Sequence, residues 1–258
     1  MDHPRRTDPV RITIIDPVVL DAPLPAPDVA GALVERRSLS AGTASIESRW
    51  DDAFAVPGII DAAIRAEEAG AQAIVVNCMD DPGVDAAREV VRIPVVGVAE
   101  AAMHLALCLS GRFTIATTTA DDVPIARELV ARHRLDHRCA SIRPIGLPPL
   151  GLLDDDAETF RLFADAAVAA IEQDGAEAII AGCTLLADQV DRLDAHLLAS
   201  GIDVPVIDPL LAGLHHAQTL VRLGVSHSPL GWPAPDAKDI VWPGAPLRLG
   251  PALEGTVR

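Results

Sequence analysis

The chain has 258 residues, half of them hydrophobic and only 3% aromatic, and its formal net charge is −16. This length can build one large domain or two small ones, each with its own core. The negative charge argues against nucleic-acid binding, which needs a basic face. No apolar run reaches the roughly 18–20 residues of a membrane span, and the first residues lack the apolar region of a signal peptide. With four widely spaced cysteines and no metal-type spacing, we expect a cytoplasmic protein that binds neither nucleic acid nor membranes.

Apolar runs alternate with stretches of helical spacing along the first half of the chain. Short apolar runs predict buried strands, and apolar residues three or four apart predict helices. Strands are predicted at 11–16, 35–40, 73–78 and 93–98, and helices at 57–70, 81–91 and 100–110. Asp81 is the predicted N-cap of the second helix, with Pro82 at its first helical position.

The second half repeats this alternation of strands and helices. Strands are predicted at 112–117, 140–145, 178–183 and 204–207, and helices at 121–133, 155–174, 186–200 and 209–223. The remaining residues, 226–258, are rich in Pro and Gly and predict no long regular element. We expect this tail to wrap over the domain or over a neighbouring subunit.

The two halves also match in sequence. Residues 70–78 (GAQAIVVNC) parallel residues 175–183 (GAEAIIAGC), at an offset of 183 − 78 = 105. Residues 11–14 parallel 112–115, and residues 93–96 parallel 204–207. An internal repeat of this length predicts two similar α/β domains, each with a parallel sheet flanked by helices.

Two cysteines stand at equivalent places in this repeat. Cys78 and Cys183 each end a predicted strand, and ligands of open parallel sheets bind outside the carboxyl ends of the strands. A helix N-terminus nearby is expected to lower the thiol pKa and favour the thiolate. Two thiols on opposite faces of a planar carbanion suit racemisation, since one removes the α-proton and the other returns a proton. Ordinary buried cysteines are the alternative, as we expect for Cys108 in the middle of a helix.

Polar residues lie beside these strand ends. Asn77 and Thr184 adjoin the two cysteines and are expected to hydrogen-bond substrate oxygens. Thr117 and Thr118 end the first strand of the second half and are expected to form a third wall, while Asp16 holds the matching place in the first half. Helix or turn caps are the alternative role for the threonines, and a turn aspartate before a proline is the alternative for Asp16.

No motif indicates a cofactor or a metal. The sequence has no Gly-x-Gly-x-x-Gly after a strand and no phosphate-binding loop, and its single lysine, Lys238, makes a Schiff base with pyridoxal phosphate improbable. The eight histidines form no convincing metal set, because the adjacent His215 and His216 cannot both face one ion. We therefore expect no cofactor, no metal and catalysis by side chains alone.

The sequence resembles the aspartate/glutamate/hydantoin racemase superfamily, and is most similar to its hydantoin racemase branch. The resemblance covers about residues 11–224. It is carried by Cys78 with residues 81–89 (DPGVDAARE), by Cys183 with its neighbours (GCT), and by the segments 44–48 (ASIES), 93–104 (IPVVGVAEAAMH) and 204–209 (VPVIDP).

This resemblance implies a fold, a mechanism and a set of pocket residues. The implied fold has two α/β domains related by pseudo-twofold symmetry, 1–98 plus 209–258 and 99–208, with the active site in the cleft between them. The implied enzyme is a homo-oligomer without a cofactor that acts on a small-molecule substrate, with Cys78 and Cys183 as its two acid–base groups. Further pocket residues implied by the resemblance are Ser45, Ile46, Met79, Asp80, Thr184 and Leu185.

Several pocket positions depart from the family pattern. Asp16 stands where an asparagine is usual, Met79 and Asp80 replace an aromatic residue and a glycine, and Thr184 with Leu185 replaces smaller residues. The acidic groups would disfavour a free dicarboxylate and suit a neutral, N–H-rich ring such as a 5-substituted hydantoin or allantoin. An amino-acid racemase or a maleate-type isomerase of the same superfamily is the alternative. A catalytically silent ligand-binding protein is the alternative of another class.

Overall fold

The computed structural model describes residues 8–20, 22 and 24–237, which form two parallel four-stranded sheets. Their strand orders are β2-β1-β3-β4 and β6-β5-β7-β8, so the two halves share one topology. The strands are β1 Val10–Asp16, β2 Ala32–Ser38, β3 Ala73–Val76, β4 Val95–Gly97, β5 Phe113–Thr117, β6 Cys139–Pro144, β7 Ala178–Ala181 and β8 Val206–Ile207. The prediction of an α/β fold with two similar halves is confirmed.

Helices connect most of these strands, as is usual between parallel strands, whereas no helix is described in the connection from β1 to β2. In the described part of the chain they are α1 Arg49–Glu68, α2 Val84–Val90, α3 Val98–Leu109, α4 Asp122–Arg132, α5 Asp156–Asp174, α6 Ala187–Ala199 and α7 Pro209–Leu223. Short 3-10 turns, Leu150–Leu153 and Thr184–Leu186, precede α5 and α6. Within the described residues, no helix is both long enough and apolar enough to cross a membrane.

Helix α1 begins two turns earlier than predicted. Ser48 is its N-cap, and the side chain of Ser48 accepts a hydrogen bond from the backbone N–H of Asp51 at 3.3 Å. Pro57, the predicted first residue, lies inside the helix. Apolar periodicity misses the first turns because their large side chains, Trp50 and Phe54, face solvent.

The predicted N-cap role of Asp81 in helix α2 is wrong. Helix α2 begins only after Gly83, whose φ is 67°, while the Asp81 carboxylate accepts hydrogen bonds from the backbone N–H groups of Ala99 (3.0 Å) and Glu100 (2.8 Å). Asp81 therefore caps helix α3. Gly97 makes room for this contact, since a Cβ atom there would lie 2.3 Å from the Asp81 carboxyl carbon. The loop after β3 is thus fastened to the start of α3.

Helix α3 lies between the two sheets. It packs against β4 and α7 on one side and against β5 and β7 on the other. Buried side chains of this helix, such as Met103, join Ile12 of β1 and Ile180 of β7 in one apolar core. Cys108, which was expected to fill the core, is exposed on α3. The prediction failed because α3 also exposes Leu105 and Leu109, so its apolar pattern does not mark the buried face.

The end of the described chain returns to the first half. Helix α7 packs against β1, β3 and β4. Beyond it, the Trp232 indole N–H donates to Asp85 at 3.0 Å, and the Arg88 guanidinium lies 4.9 Å from the Trp232 ring centroid. Trp232 therefore lies on α2, whereas the rest of the tail, from 238, lies outside the described residues. The domain boundaries remain a prediction.

Candidate active site

Cys78 and Cys183 lie just beyond the carboxyl ends of β3 and β7, which hold the same position in their two sheets. Both cysteines are partly exposed, and both line one cavity of about 160 Å³. The fold therefore brings together two thiols that are 183 − 78 = 105 residues apart in sequence.

Close packing before Cys183 sets the position of this thiol. The Gly182 N–H donates to the Ala116 carbonyl of β5 at 2.8 Å. A Cβ atom on Gly182 would lie 2.4 Å from that oxygen, which is closer than real Cβ contacts allow. Only glycine lets the chain turn this near to β5 before the cysteine.

All the residues predicted for the site line this same cavity. They come from the ends of β1, β3, β5 and β7 and from the loop before α1. They are Asp16, Ser45, Ile46, Asn77, Cys78, Met79, Asp80, Thr117, Thr118, Cys183, Thr184 and Leu185. This proximity is a geometric finding, and the role of each residue in binding or catalysis stays a prediction.

Sequence reasoning missed two charged residues and much of the apolar wall. Asp122 lines the cavity at the start of α4, where it accepts hydrogen bonds from the Thr118 and Thr119 hydroxyls and from the Thr119 N–H (2.7 Å). An acidic residue three positions after a threonine at a helix start is a signal that could have indicated this network. Arg36 of β2 also lines the cavity, with apolar neighbours that include Val18, Leu20, Leu24, Pro149, Leu150 and Leu153.

Asp16 is held by an ion pair that no local pattern revealed. Arg36 donates to both Asp16 carboxylate oxygens, at 2.7 and 2.8 Å, and the Asn77 amide N–H donates to Oδ1 at 2.7 Å. The charge of Asp16 is therefore compensated and counts less against an anionic substrate than the sequence suggested. The buried amide oxygen of Asn77 has no hydrogen-bond partner among the described residues.

Burial raises the pKa of both thiols. The pKa of Cys183 is raised to about 12 and that of Cys78 well above the ordinary thiol value, with desolvation as the largest cause in both. Negative charge adds to this, chiefly from Asp80 at Cys78 and from Asp122 at Cys183. The backbone N–H groups of Asp80 and Leu185 act on the two sulfurs in the opposite direction. These turn N–H groups are the expected stabilisers, but desolvation outweighs them, so the prediction of a lowered thiol pKa is wrong.

Carboxyl groups crowd the side of the cavity near Cys78. The pKa of Asp80 is raised to about 7, chiefly by burial and next by the charges of Asp52 and Asp122. Burial, followed by the charge of Asp51, raises the pKa of Asp52 to about 6. Near neutral pH, Asp80 therefore changes its charge directly beside the Cys78 thiol.

Two similar α/β halves that each contribute one cysteine to a shared cavity are the arrangement that the sequence predicts for an enzyme of the racemase type. Residues 25–217 match the family model described as Asp/Glu/Hydantoin racemase. The chain belongs to this family and is an isomerase of the racemase type.

Similar proteins support this assignment over most of the chain. A hydantoin racemase of Rhizobium meliloti is 40% identical over 185 residues, which cover 72% of this chain and 75% of that protein. A hydantoin racemase of a Pseudomonas species is 37% identical over 204 residues, covering 78% and 79%. The structure of an allantoin racemase from Klebsiella pneumoniae superposes with a TM-score of 0.85 at 31% identity, covering 94% of this chain and 99% of that one.

Proposed function

We propose that this enzyme racemises 5-substituted hydantoins or related cyclic ureides, with Cys78 and Cys183 as opposed acid–base groups. The observation that carries the proposal is one thiol from each half at equivalent strand ends, both lining one cavity. The names of the similar proteins, hydantoin racemase and allantoin racemase, support this substrate class.

In the proposed reaction the thiolate of one cysteine removes the proton from ring carbon C5, forming an S–H bond and a planar enolate. The thiol on the other face gives its proton to C5 and becomes the thiolate. Each turnover therefore removes one proton from C5 and adds one proton to it, with no oxidation or reduction and no cofactor. The backbone N–H groups of Asp80 and Leu185 stabilise each thiolate as it forms.

The raised thiol pKa sets a pH dependence for this mechanism. A thiol with a pKa of about 12 is ionised in only about one molecule in 10⁵ at pH 7. The few thiolates present are strong bases, which suits removal of a proton from carbon. We therefore expect the racemisation rate to rise as pH rises through the neutral range.

The walls of the cavity favour one kind of substituent. Apolar side chains, including Leu20, Leu24, Leu150 and Leu153, line the cavity that holds the two thiols. Asn77, whose buried amide oxygen has no partner among the described residues, lines the same cavity. We propose hydantoins with an apolar 5-substituent as better substrates than allantoin, whose ureido substituent would leave polar groups unpaired against these walls.

The test mixes the purified protein with one enantiomer of 5-isobutylhydantoin, or of allantoin, in D₂O. Optical rotation and deuterium uptake at C5 are followed above the uncatalysed rate. Cys78→Ser and Cys183→Ser should each lower racemisation at least about 100-fold, since each removes one proton-transfer group. Each variant should retain proton exchange at C5 of one enantiomer only. Cys108→Ser, outside the cavity, is the matched control.

Other outcomes of this assay would point to the rival functions. Racemisation by both cysteine variants at the parent rate would refute the two-thiol mechanism. Turnover of free aspartate or glutamate in place of hydantoins would indicate an amino-acid racemase, and isomerisation of maleate a maleate-type isomerase. Tight hydantoin binding without deuterium uptake would indicate a silent binding protein.

We also propose a cytoplasmic location. The four cysteines are free, as is expected in the reducing cytoplasm. A homo-oligomer remains a prediction, which light scattering on the full chain would test.

A further inference from the structure

A second cluster of ionisable side chains lies outside the cysteine cavity, where α3 meets the end of α4. Glu100 and His104 are four residues apart on α3 and therefore share one face of that helix. His133 follows the last residue of α4. One ligand atom from each of these three residues lies within 4.8 Å of the other two. None of the three lines the cavity that holds the two thiols.

The hydrogen bonding of His104 leaves one ring nitrogen free for a metal. Nδ1 of His104 lies 2.8 Å from the Glu100 backbone carbonyl oxygen, which can only accept, so Nδ1 carries the proton. The lone pair is then on Nε2. Metal-binding histidines hold their tautomer in this way, by donating the second N–H to a carbonyl or carboxylate. The His104 and His133 rings meet edge to face, with centroids 5.5 Å apart.

The Glu100 carboxylate is oriented by a neighbouring arginine. Arg88 Nη2 donates to Glu100 Oε2 at 2.7 Å, and Arg88 is itself held by a hydrogen bond from Nε to the Val95 carbonyl oxygen at 3.0 Å. This contact leaves Oε1 of Glu100 for another partner. The imidazole of His216 on α7 is close enough for the charges of Glu100 and His104 to act on it.

We propose that Glu100, His104 and His133 bind one Zn²⁺ ion, with a water molecule as the fourth ligand. Two imidazoles and one carboxylate are a donor set that zinc prefers. With bonds of about 2.1 Å, the ligand atoms of a tetrahedral zinc site lie about 3.4 Å apart, so side-chain shifts of about 1 Å would close this one. The ion would tie the helix between the two sheets to the end of α4. The ion would take no part in the proposed proton transfer, because none of the three residues lines the cavity of the two thiols.

The test uses the full chain with all four cysteines changed to serine, since free thiols bind zinc on their own. After dialysis against a chelator, Zn²⁺ is titrated by calorimetry, and the melting temperature is measured with and without the ion. We expect one Zn²⁺ per chain and a higher melting temperature. Co²⁺ should give the visible bands of a tetrahedral site without a sulfur-to-cobalt charge-transfer band.

Single substitutions then locate the ion. His104→Ala and His133→Ala should each weaken Zn²⁺ binding by at least about 100-fold. Loss of a group that only orients a ligand weakens metal binding by up to about 100-fold, and loss of the ligand itself should weaken it at least as much. His215→Ala, which removes an exposed imidazole from α7, should leave binding unchanged. Unchanged binding in His104→Ala, or zinc binding only while the four cysteines are present, would overturn the proposal. His104 is exposed, so its variant decides the question even if His133→Ala unfolds. The result does not depend on racemase activity.

Discussion

Asp80→Asn is expected to make this enzyme faster at alkaline pH, through its effect on the thiol of Cys78. Asp80 is the largest source of negative charge acting on Cys78, and the pKa of Asp80 itself is raised to about 7. Below pH 7 the carboxyl is mostly protonated, so the variant should resemble the parent. Above pH 7 the parent carries a charge that asparagine lacks, and the two enzymes should diverge.

The size of the effect follows from two opposing factors. A neighbouring like charge raises a pKa by about one unit or more, so its removal should increase the thiolate fraction of Cys78 about tenfold. The thiolate then becomes a weaker base, and with a Brønsted coefficient near 0.5 its intrinsic reactivity falls about threefold. The expected net gain in kcat/KM is therefore about threefold at pH 9, with none at pH 6.

The assay is polarimetric racemisation of each enantiomer of one hydantoin from pH 6 to pH 9. Asp80→Glu keeps the charge and should keep the parent profile, and Asp203→Asn, at an exposed site outside the cavity, is the control for a change in total charge. A constant ratio of variant to parent across this range would refute the electrostatic reasoning. A uniform loss would indicate instead that Asp80 binds the substrate.

Three further predictions concern the framework of the site. Gly182→Ala should cost about 1–3 kcal/mol in urea unfolding and lower kcat/KM, because its Cβ would push Cys183 away from β5. Arg36→Met should cost about 3–5 kcal/mol, since it leaves the buried charge of Asp16 unpaired, and a second change, Asp16→Asn, should restore part of that loss. The pKa of Asp81 is raised from 3.8 to about 7, so its stabilising contribution is complete below about pH 4 and is lost as pH rises through 7. Asparagine does not titrate. Between pH 4 and pH 7 the unfolding free energy of Asp81→Asn should therefore fall less than that of the parent, by up to roughly 4 kcal/mol.

Each of these predictions has a result that would contradict it. Gly231→Ala, where a Cβ meets only an ordinary contact, is the control for Gly182→Ala, and equal stability of the two variants would refute the close-packing argument. Additive effects of Arg36→Met and Asp16→Asn would show that the ion pair contributes nothing of its own. An unchanged pH dependence in Asp81→Asn would place the titration in another group.

Strand positions and the two cysteines could be predicted because their signals are local. A short apolar run such as 73–76 predicts a buried strand wherever it occurs, and the repeated motif places Cys78 and Cys183 at equivalent strand ends. Helix α1 shows the limit of this reasoning: its exposed aromatic side chains hide the true start. Asp81 shows a second limit. Its position before α2 matches a capping pattern, but its carboxylate accepts hydrogen bonds from backbone N–H groups of α3.

By itself, the sequence determined the α/β class, the two-half repeat and which thiols stand at its strand ends, since all three follow from periodicity along the chain. Only the tertiary structure decided the electrostatics of the site. Desolvation raises the thiol pKa, Arg36 compensates Asp16, and Asp122 enters the cavity from α4. It also brought His133 to Glu100 and His104. Burial and contacts between distant segments depend on how the two halves pack together, and no local pattern of residues encodes that packing.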